Sequence, residues 1–373
     1  MKILINLFLL SLLISCIIST FFSNIFIELN KDKKGNNLII SPLSIYQVLS
    51  LLSNGAKEET LLEMLKTLGS EKIEELNYIN KKILEISQTF STLEIANAIM
   101  TKCKPFNNFL SYAKLYSADV EFLESVEQVN NWCSERTHGK INKIIEELND
   151  QTLMILLNAV YFKGRWVYPF EKFNNQDLPF FNFGREKKII ETMIQEDSFN
   201  YYEDKEVKII ELPFEEDFMS AIIILPSENI EINLFIEKSN LNQLIHKLDY
   251  AKVHLELPKF ELDFSENLNE VMKKLGMERI FDYEKANLSG LCEGKNLFVS
   301  SIVHKTYLKV NETGTEAAAV TAVVLEMAMA YDREEIIHSM KVNRPFLFLL
   351  KNSRFPEGYD MVFMAKIEKI DEN

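Results

Sequence analysis

Hydrophobic residues recur at three- and four-residue spacing early in the chain, a pattern that predicts amphipathic helices. The spacing first appears between Ile18 and Leu29. The segment "PLSIYQVLSLLSNGA" repeats it, with Ser41 before Pro42 as a helix cap and Asn54–Gly55 as a stop. The segments "KEETLLEMLKTLGS" and "VEQVNNWCSERTHGKINKIIEEL" follow the same scheme. The first half of the chain is therefore predicted to be mainly helical.

The second half contains apolar runs with little interruption, which predict strands covered on both faces. The runs are "TLMILLNAVYF", "VKIIELPF", "MSAIIILP", "KVHLELPKFEL", "HKTYLKV", "RPFLFLL" and "YDMVFMAKI". No repeat or low-complexity linker divides the chain, which has only 11 Gly and 9 Pro. The predicted fold class is α+β, with large β-sheets and a helical N-terminal half in one continuous domain, residues 17–373.

Composition excludes two classes of partner. A formal net charge of −14 disfavours nucleic acid, which requires a basic face. No polybasic stretch is present that would bind heparin or anionic lipid. Hydrophobic residues at 47% and charged residues at 26% are ordinary for a folded protein.

The N-terminus, "MKILINLFLLSLLISC", resembles a secretory signal peptide, with one Lys, an apolar core from Ile3 to Ile14, and small residues after it. The core is too short to span a membrane. We predict a signal peptide over residues 1–16 and a secreted, extracellular protein. Two alternatives are a buried first helix and a lipoprotein box with Cys16 as the lipidated residue.

The cysteines and histidines suggest no catalytic or metal centre. If Cys16 leaves with the signal, the odd number that remains, Cys103, Cys133 and Cys292, cannot form a complete disulfide framework, so we expect stability to come from the core. Cys292 in "GLCEG" resembles a nucleophile elbow, which requires a strand before it and a helix after it. Here "YEKANLS" precedes and the strand-like "LFVSSIV" follows, so a partly buried thiol is expected. The histidines lack metal-binding spacing, so neither metal nor cofactor is predicted.

The segment "NETGTEAAAVTAVVLEMAMAYDREE", residues 311–335, has a composition that does not fit its position. Its Ala, Leu, Met and Glu content favours helix, yet it follows the predicted strand "KTYLKV" without a usual helix cap. As a strand it would present a face of small residues free of Pro and charge. That face comprises Thr315, Ala317, Ala319 and Thr321.

Several motifs in order resemble the serpin family. They are "NLIISPLSIYQVLSLLSNGA", "VNNWCSERTHGKIN", "NAVYFKGRW", "LELPKFEL", "MKKLGMERIFD", "HKTYLKVNETGTEAAAVTAVV" and "NRPFLFLL". The resemblance runs from about Phe21 to the C-terminus. It implies the serpin fold, with a hinge and exposed reactive-centre loop at residues 312–340. It also implies a monomeric inhibitor that forms a covalent complex with a serine protease once the loop is cut and inserts into the central sheet.

The resemblance assigns roles to individual residues. The hinge comprises Glu312, Gly314, Thr315, Ala317, Ala319 and Thr321. A polar cluster called the shutter, which governs opening of the sheet, comprises Ser41, Ser44, Asn158 and His304. An ion pair between Lys259 and Glu312, with Trp166 beneath it, forms the breach at the top of the sheet. About ten new backbone hydrogen bonds at roughly 1 kcal/mol each would release on the order of 10 kcal/mol on insertion.

The family register from Glu312 predicts cleavage between Ala328 and Met329. The stretch to Pro345 is longer than usual in the family, so Met327, Tyr331 and Arg333 remain alternative bait residues. Apolar bait suits elastase-, cathepsin G- or chymotrypsin-like enzymes, whereas Arg333 would suit a trypsin-like enzyme.

Two sequons lie at Asn287 and Asn311. Glycosylation is possible at Asn287, whereas sugar on Asn311 would obstruct insertion, so that sequon is predicted to be unused. The alternatives to a serine protease inhibitor are a non-inhibitory binding or storage protein of the same fold and an inhibitor of cysteine proteases. An enzyme is disfavoured because nothing surrounds Cys292 or the histidines to activate them.

Overall fold

The computed structural model describes residues 21–88, 92–139, 142–149, 151–215, 218–293, 297–315 and 336–371. The α-helices in these ranges are α1 (21–32), α2 (Pro42–Ser53), α3 (Glu58–Thr67), α4 (Ile73–Ser87), α5 (Asn107–Leu115), α6 (Val126–Arg136), α7 (Ile232–Lys238), α8 (Leu241–Ile245) and α9 (Asn269–Lys274). Short 3₁₀ turns occur at Lys172–Asn174 and Arg279–Phe281. The described part of the chain contains no helix long and apolar enough to cross a membrane.

The strands form two sheets. Those of the six-stranded sheet are β2 (Leu93–Thr101), β3 (Asp119–Phe122), β4 (Met154–Phe162), β10 (Phe260–Asn267), β11 (Ser301–Asn311) and β12 (Gly314–Thr315). Those of the nine-stranded sheet are β1 (Leu38–Ile40), β5 (Gln176–Asn182), β6 (Glu186–Glu203), β7 (Val207–Pro213), β8 (Met219–Pro226), β9 (Asp249–Pro258), β13 (Ile337–Lys341), β14 (Phe346–Asn352) and β15 (Met361–Ile367).

The six-stranded sheet has the order β10-β11-β4-β2-β3, with β12 added on β11. Its central pair, β4 and β11, is parallel, in register from Ser301↔Ile155 to Tyr307↔Tyr161. The other pairs involving β4 and β11 are antiparallel. We call the β4–β11 boundary the seam, its end near Phe162 and Asn311 the upper end, and its end near Met154 and Ser301 the lower end.

Hydrophobic packing covers both faces of the six-stranded sheet. Helix α2 is buried at every position and belongs to the main core, which continues into the nine-stranded sheet. Ser41 caps this helix by accepting a hydrogen bond from the Ser44 N–H, and Pro42 occupies the first turn. Helix α6 covers the opposite face in a second cluster that includes Val129 and Trp132. The sheet therefore lies between α2 and α6.

The structure confirms the α+β class and the seven predicted strand runs, with "KVHLELPKFEL" divided into β9 and β10. Two predictions were wrong. The helix expected over "VEQVNNWCSERTHGKINKIIEEL" ends at Arg136, and residues 142–149 are irregular. The first half is also less helical than expected, because "LEIANAIMT" forms β2, an interior strand of the six-stranded sheet.

The expectation that Cys292 is a partly buried thiol was wrong, and so was the expectation that stability comes from the core in place of disulfides. Cys103 and Cys292 are joined, with their Cα atoms 6.3 Å apart, and Cys133 is a buried free thiol. The odd cysteine count was an insufficient argument, because it excludes a complete framework but not a single bond. A disulfide-bonded Cys292 is not available as a nucleophile, so the "GLCEG" segment has no catalytic thiol.

Candidate functional site: the seam of the six-stranded sheet

The upper end of the seam already holds a short strand. After β11 the chain turns, and β12 returns antiparallel to it with Val310 opposite Thr315. On the other side, the Thr315 N–H donates to the Gly164 carbonyl at 2.8 Å, and the Gly164 N–H donates to Thr315 Oγ1 at 2.8 Å. Thr315 is completely buried. The hinge is thus seated between β11 and the extension of β4.

Gly314 fits this seat because it has no side chain. Its φ is +139°, a conformation that L-residues rarely adopt. A Cβ at this position would lie 2.0 Å from the Gly164 carbonyl oxygen and 2.9 Å from the Arg165 Cα. Only glycine allows the two backbones to approach this closely, so the sequence dictates where the hinge turns.

Trp166 anchors the hinge from below. Its ring stacks on Phe214 with centroids 4.3 Å apart, and the ring is almost fully buried. The indole Nε1–H donates to the Asn311 carbonyl at 3.0 Å, and the backbone N–H donates to the Thr313 carbonyl at 3.0 Å. A buried indole N–H requires a partner, and here the hinge backbone supplies it.

An ion cluster closes the upper end beside the hinge. Lys259 Nζ contacts Glu312 Oε1 at 3.0 Å and Glu191 Oε2 at 2.9 Å. Asn175 Nδ2 donates to both carboxylates, at 2.6 Å to Glu312 and 2.8 Å to Glu191. Lys259 and Glu312 are largely shielded, with exposed side-chain fractions of 21% and 13%. The pair is therefore stronger than an exposed surface bridge.

The titration of this cluster follows from its contacts. Burial alone lowers the pKa of Lys259, but the hydrogen bonds with Glu191 and Glu312 outweigh burial and raise it. Burial alone raises the pKa of Glu312, but hydrogen bonds from its own backbone, Lys259 and Asn175 outweigh burial and lower it. Hydrogen bonds from Lys259 and Asn175 lower the pKa of Glu191. All three groups are therefore charged at neutral pH.

A second polar cluster crosses the middle of the seam. His304 on β11 lies in register with Asn158 on β4, and both are completely buried. Ser44 Oγ donates to Asn158 Oδ1 at 2.7 Å, and the Ser41 N–H donates to His304 Nε2 at 3.1 Å. Asn158 Nδ2 donates to Asn97 Oδ1 at 2.6 Å. The cluster links the start of α2 to β11, β4 and β2.

The hydrogen bonds define the tautomer of His304. Because Nε2 accepts from Ser41, the ring proton lies on Nδ1, which donates to Asn158 Oδ1 at 2.5 Å. Complete burial lowers the pKa of His304 to about 3. The imidazole is therefore neutral at physiological pH, and a second proton would abolish the acceptor used by Ser41.

Helix α6 lies across the seam. Its cluster includes Ile155, Leu157 and Ala159 from β4 together with Val303 and Tyr307 from β11. Both edges of the seam therefore pack under the same helix. If β4 and β11 separate, α6 must move or change its contacts.

The structure brings nine of the assigned residues into two groups. Ser41, Ser44, Asn158 and His304 form the cluster in mid-seam, while Trp166, Lys259, Glu312, Gly314 and Thr315 surround its upper end. The remaining assigned residues lie outside the described residues. These are Ala317, Ala319, Thr321, Met327, Ala328, Met329, Tyr331 and Arg333.

Sequence reasoning missed four residues of these groups. They are Asn97, Gly164, Asn175 and Glu191. Asn97 could have been noticed as a polar residue inside the apolar run "LEIANAIMT". Glu191 and Asn175 are distant from Lys259 in sequence and carried no local signal.

Asn287, the candidate glycosylation position, lies beside the start of α3. Its Nδ2 donates to Glu58 Oε2 at 3.0 Å, and its N–H donates to Thr60 Oγ1 at 3.0 Å. Glycosylation there stays a prediction. A sugar on Nδ2 would replace the bond to Glu58.

This arrangement can accept an additional strand, because the hinge residues Gly314 and Thr315 already occupy the first positions of a strand between β11 and the extension of β4. The chain matches the family model "Serpin (serine protease inhibitor)" over residues 17–369. It is 33% identical over 361 residues to leukocyte elastase inhibitor of Xenopus laevis, covering 89% of this chain and 94% of the relative.

Two solved structures are similar over most of the chain. The native-state crystal structure of the thermophilic serpin tengpin has a TM-score of 0.84 and 30% identity, covering 94% of this chain and 93% of its own. Human thyroxine-binding globulin complexed with thyroxine has a TM-score of 0.85 and 25% identity, covering 96% of this chain and 99% of its own. The chain belongs to the serpin family, whose description is that of a serine protease inhibitor and not of an enzyme.

Proposed function

We propose that this protein inhibits elastase-like serine proteases by covalent trapping. The protease cuts the reactive-centre loop, and the loop inserts into the seam before the acyl-enzyme is hydrolysed. One observation carries the proposal. The hinge residues Gly314 and Thr315 are already hydrogen-bonded at the upper end of a seam whose strands still pair directly below them.

The strand registers on the two sides of the hinge agree with each other. On one side, Val310 of β11 is paired with Thr315. On the other side, Arg165, just beyond the end of β4, is paired with Gly314. If both registers continue without a break in the cleaved molecule, Thr321 arrives opposite His304 on one side and Asn158 on the other. The same face then carries Thr315, Ala317, Ala319 and Thr321 toward α2. These are small residues, which suits a strand that must enter a packed sheet.

A limited set of contacts holds β4 and β11 together. The seam can therefore open when an inserted strand replaces these contacts. Parting the strands breaks the backbone pairs from Ser301↔Ile155 to Tyr307↔Tyr161 and the bond between His304 and Asn158. An inserted strand would form hydrogen bonds on both of its edges in place of one shared boundary. The parallel pair is replaced by two antiparallel pairs, which are slightly more stable per residue.

The choice of an elastase-like target draws support from two sources. The relative from Xenopus laevis is named leukocyte elastase inhibitor, and an inhibitor of the same name from Homo sapiens is 31% identical over 361 residues. The predicted bait, Ala328 and Met329, is small or unbranched and apolar, as such a primary pocket requires. Cleavage at Met327, Tyr331 or Arg333 would redirect the inhibitor to other proteases.

The test is incubation of the purified protein with neutrophil elastase, cathepsin G, chymotrypsin, trypsin and a papain-like cysteine protease. We expect a complex stable in SDS with one of the first three, and mass spectrometry of the released C-terminal fragment should begin at Met329. Cleavage by every enzyme without a stable complex would contradict the inhibitor mechanism. A complex with trypsin alone and cleavage after Arg333 would keep the mechanism and change the target.

A second candidate function is hormone or small-molecule carriage without insertion. The similarity to thyroxine-binding globulin, a serpin-fold structure solved with a bound small molecule, favours it. The two candidates differ after cleavage. An inhibitor should gain thermal stability because the loop joins the sheet, whereas the melting midpoint of a carrier should be unchanged.

We also propose that the protein is secreted after removal of residues 1–16. The disulfide between Cys103 and Cys292 supports this proposal, because such bonds persist in oxidising compartments and are rare in the cytosol. N-terminal sequencing of protein recovered from the medium of an expressing cell line tests it. Retention of Met1, or recovery only inside the cell with both thiols reduced, would contradict it.

A further inference from the structure

The disulfide lies at the lower end of the seam, opposite to the end where the hinge is seated. Cys103 lies two residues after Thr101, the last residue of β2. Thr101 is in register with Met154 at the start of β4. Cys292 precedes β11 and is almost completely buried. The bond joins positions 189 residues apart and takes no part in either polar cluster of the site.

The segment that carries Cys292 is attached to the helical side of the molecule. The Gly290 N–H donates to the Gly55 carbonyl at 2.9 Å, and the Lys57 N–H donates to the Asn287 carbonyl at 2.9 Å. Gly55 is in such close contact that a Cβ added there would lie 2.9 Å from Leu291 Cβ. Cys292 is therefore part of a tightly packed body with the turn between α2 and α3.

Strand β11 is joined to the same body, because the Ser41 N–H at the start of α2 donates to His304 on β11. Cys103 lies where the chain passes from this body to the other half of the sheet, since Pro105 bridges Cys292 and the Phe106 N–H donates to the Leu291 carbonyl at 2.8 Å. Strand β2 pairs with β4 along its whole length, from Leu93↔Phe162 to Thr101↔Met154. The pairing continues beyond the strand, since the Lys102 N–H donates to the Leu153 carbonyl at 2.9 Å. When β4 moves away from β11, β2 and Cys103 must move with it or these bonds must break.

We propose that the Cys103–Cys292 disulfide is a tether that makes the seam open from its upper end. Admitting a strand requires a gap of about 4.8 Å between β4 and β11. A disulfide allows a Cα separation of at most about 6.8 Å, which leaves little room beyond the observed 6.3 Å. The lower ends of the two halves cannot part by a full strand width at the tether, so the halves separate as a wedge. This inference rests on loop insertion as the proposed function.

The tether is compatible with complete insertion. Ile155 and Ser301 are the lowest pair of the seam, and Ile155 is in register with Met100, which precedes Cys103 along β2. The full length of the seam is therefore above the tether. The hinge enters at the wide end of the wedge, because Gly314 and Thr315 are already seated there. In the uncleaved protein, the disulfide suppresses opening of the seam at its lower end.

Hydrogen exchange of the intact, uncleaved protein tests the tether. The double variant C103S/C292S, which removes the bond, is compared with the wild type. We expect backbone amides of Ser301 to Val303 and Ile155 to Leu157 to exchange at least about tenfold faster in the double variant, a change equivalent to about 1.4 kcal/mol of local stability. Amides of Thr306 to Leu308, at the upper end of the seam, should change little and provide the internal control.

Two results would overturn the proposal. Unchanged exchange at the lower end would mean that the bond does not hold the seam there. An equal increase at both ends would mean that the bond stabilises the whole fold without directing how it opens. If the double variant does not fold, folded wild-type protein reduced with a phosphine and alkylated, with both modified cysteines verified by mass spectrometry, replaces it in the same comparison.

The exchange experiment requires no protease, so its failure is distinguishable from failure of the proposed function. A protein that shows the wedge pattern but never forms an SDS-stable complex retains the tether and is not a trapping inhibitor. A protein that forms the complex and shows no difference between the ends is an inhibitor without the tether.

Discussion

His304 on β11 donates its Nδ1–H to Asn158 on β4 across the middle of the seam, and both side chains are completely shielded from water. This bond joins the two strands that must separate when a loop enters the sheet. Protonation of the ring would leave this donor in place but would remove the Nε2 acceptor used by the Ser41 N–H. The stability of this buried cluster is therefore linked to pH.

The first prediction concerns this pH dependence. The pKa of His304 falls from an ordinary 6.5 to about 3 in the folded protein, so the unfolded chain binds a proton more readily. Stability is complete above pH 6.5 and is lost as pH falls toward 3, at up to about 1.4 kcal/mol per pH unit. We expect a loss on the order of 2 kcal/mol between pH 6.5 and pH 4.5 from this group, measured by urea unfolding.

The matched variant is H304Q, because a glutamine can still donate to Asn158 and accept from Ser41 without titrating. The difference in stability between wild type and H304Q should vary with pH below 6.5 and be constant above it. A pH-independent difference would contradict a buried, neutral His304.

The second prediction concerns Thr315, which is completely buried in the hinge seat. Replacing it with Arg would force a charge into the sheet, at a cost of several kcal/mol unless the hinge leaves the seat. T315R should therefore be cleaved as a substrate without forming a stable complex. The control is E316R, whose side chain would belong to the other face of the inserted strand and should retain complex formation. Equal trapping by both variants would contradict burial of that face.

The third prediction separates backbone strain from steric clash at Gly314. G314A combines a positive φ with a contact of 2.0 Å to the Gly164 carbonyl, whereas Gly184 has a φ of +73° and no atom within 4 Å of an added Cβ. G184A should cost about 1–2 kcal/mol from conformation alone. G314A should cost clearly more, or should release the hinge, which limited proteolysis near Thr315 would detect. Equal costs would mean that the hinge is not seated against Gly164.

The fourth prediction compares two lysines that both form ion pairs. Lys259 is mostly shielded and binds Glu312 and Glu191, whereas Lys309 is half exposed and binds Glu261. Charged hydrogen bonds in a shielded site are worth about 1.5–3 kcal/mol, so K259A should destabilise the native state by roughly that amount. K309A should cost less than about 1 kcal/mol. Chemical denaturation measures both, and equal effects would contradict a special role for the upper ion cluster.

Sequence patterns predicted much of the fold because the strands are buried on both faces and read as apolar runs. Strand β2 was missed because its run "LEIANAIMT" follows a series of convincing helices and carries Glu94 and Asn97. The polar Asn97 is not a defect in that strand, since its side-chain oxygen accepts from Asn158. Asn97 inside this apolar run was therefore the sequence feature that could have indicated the buried polar cluster around Asn158.

The predicted helix beyond Arg136 failed for a different reason. The run "INKIIEEL" has helical propensity, but the chain there is irregular and directs Ile144 into the cluster under α6. Tertiary packing overrides propensity in such a segment. The disulfide could not be paired from sequence either, because bringing Cys103 to Cys292 depends on the sheet that both flank.

The most direct measurement of the central claim is a crystal structure of the protein after cleavage of its reactive-centre loop. We predict a new strand between β4 and β11, antiparallel to both, with Thr321 between Asn158 and His304. If the cleaved protein still has Ile155 paired with Ser301 and Tyr161 paired with Tyr307, the seam has not opened and the insertion mechanism is contradicted.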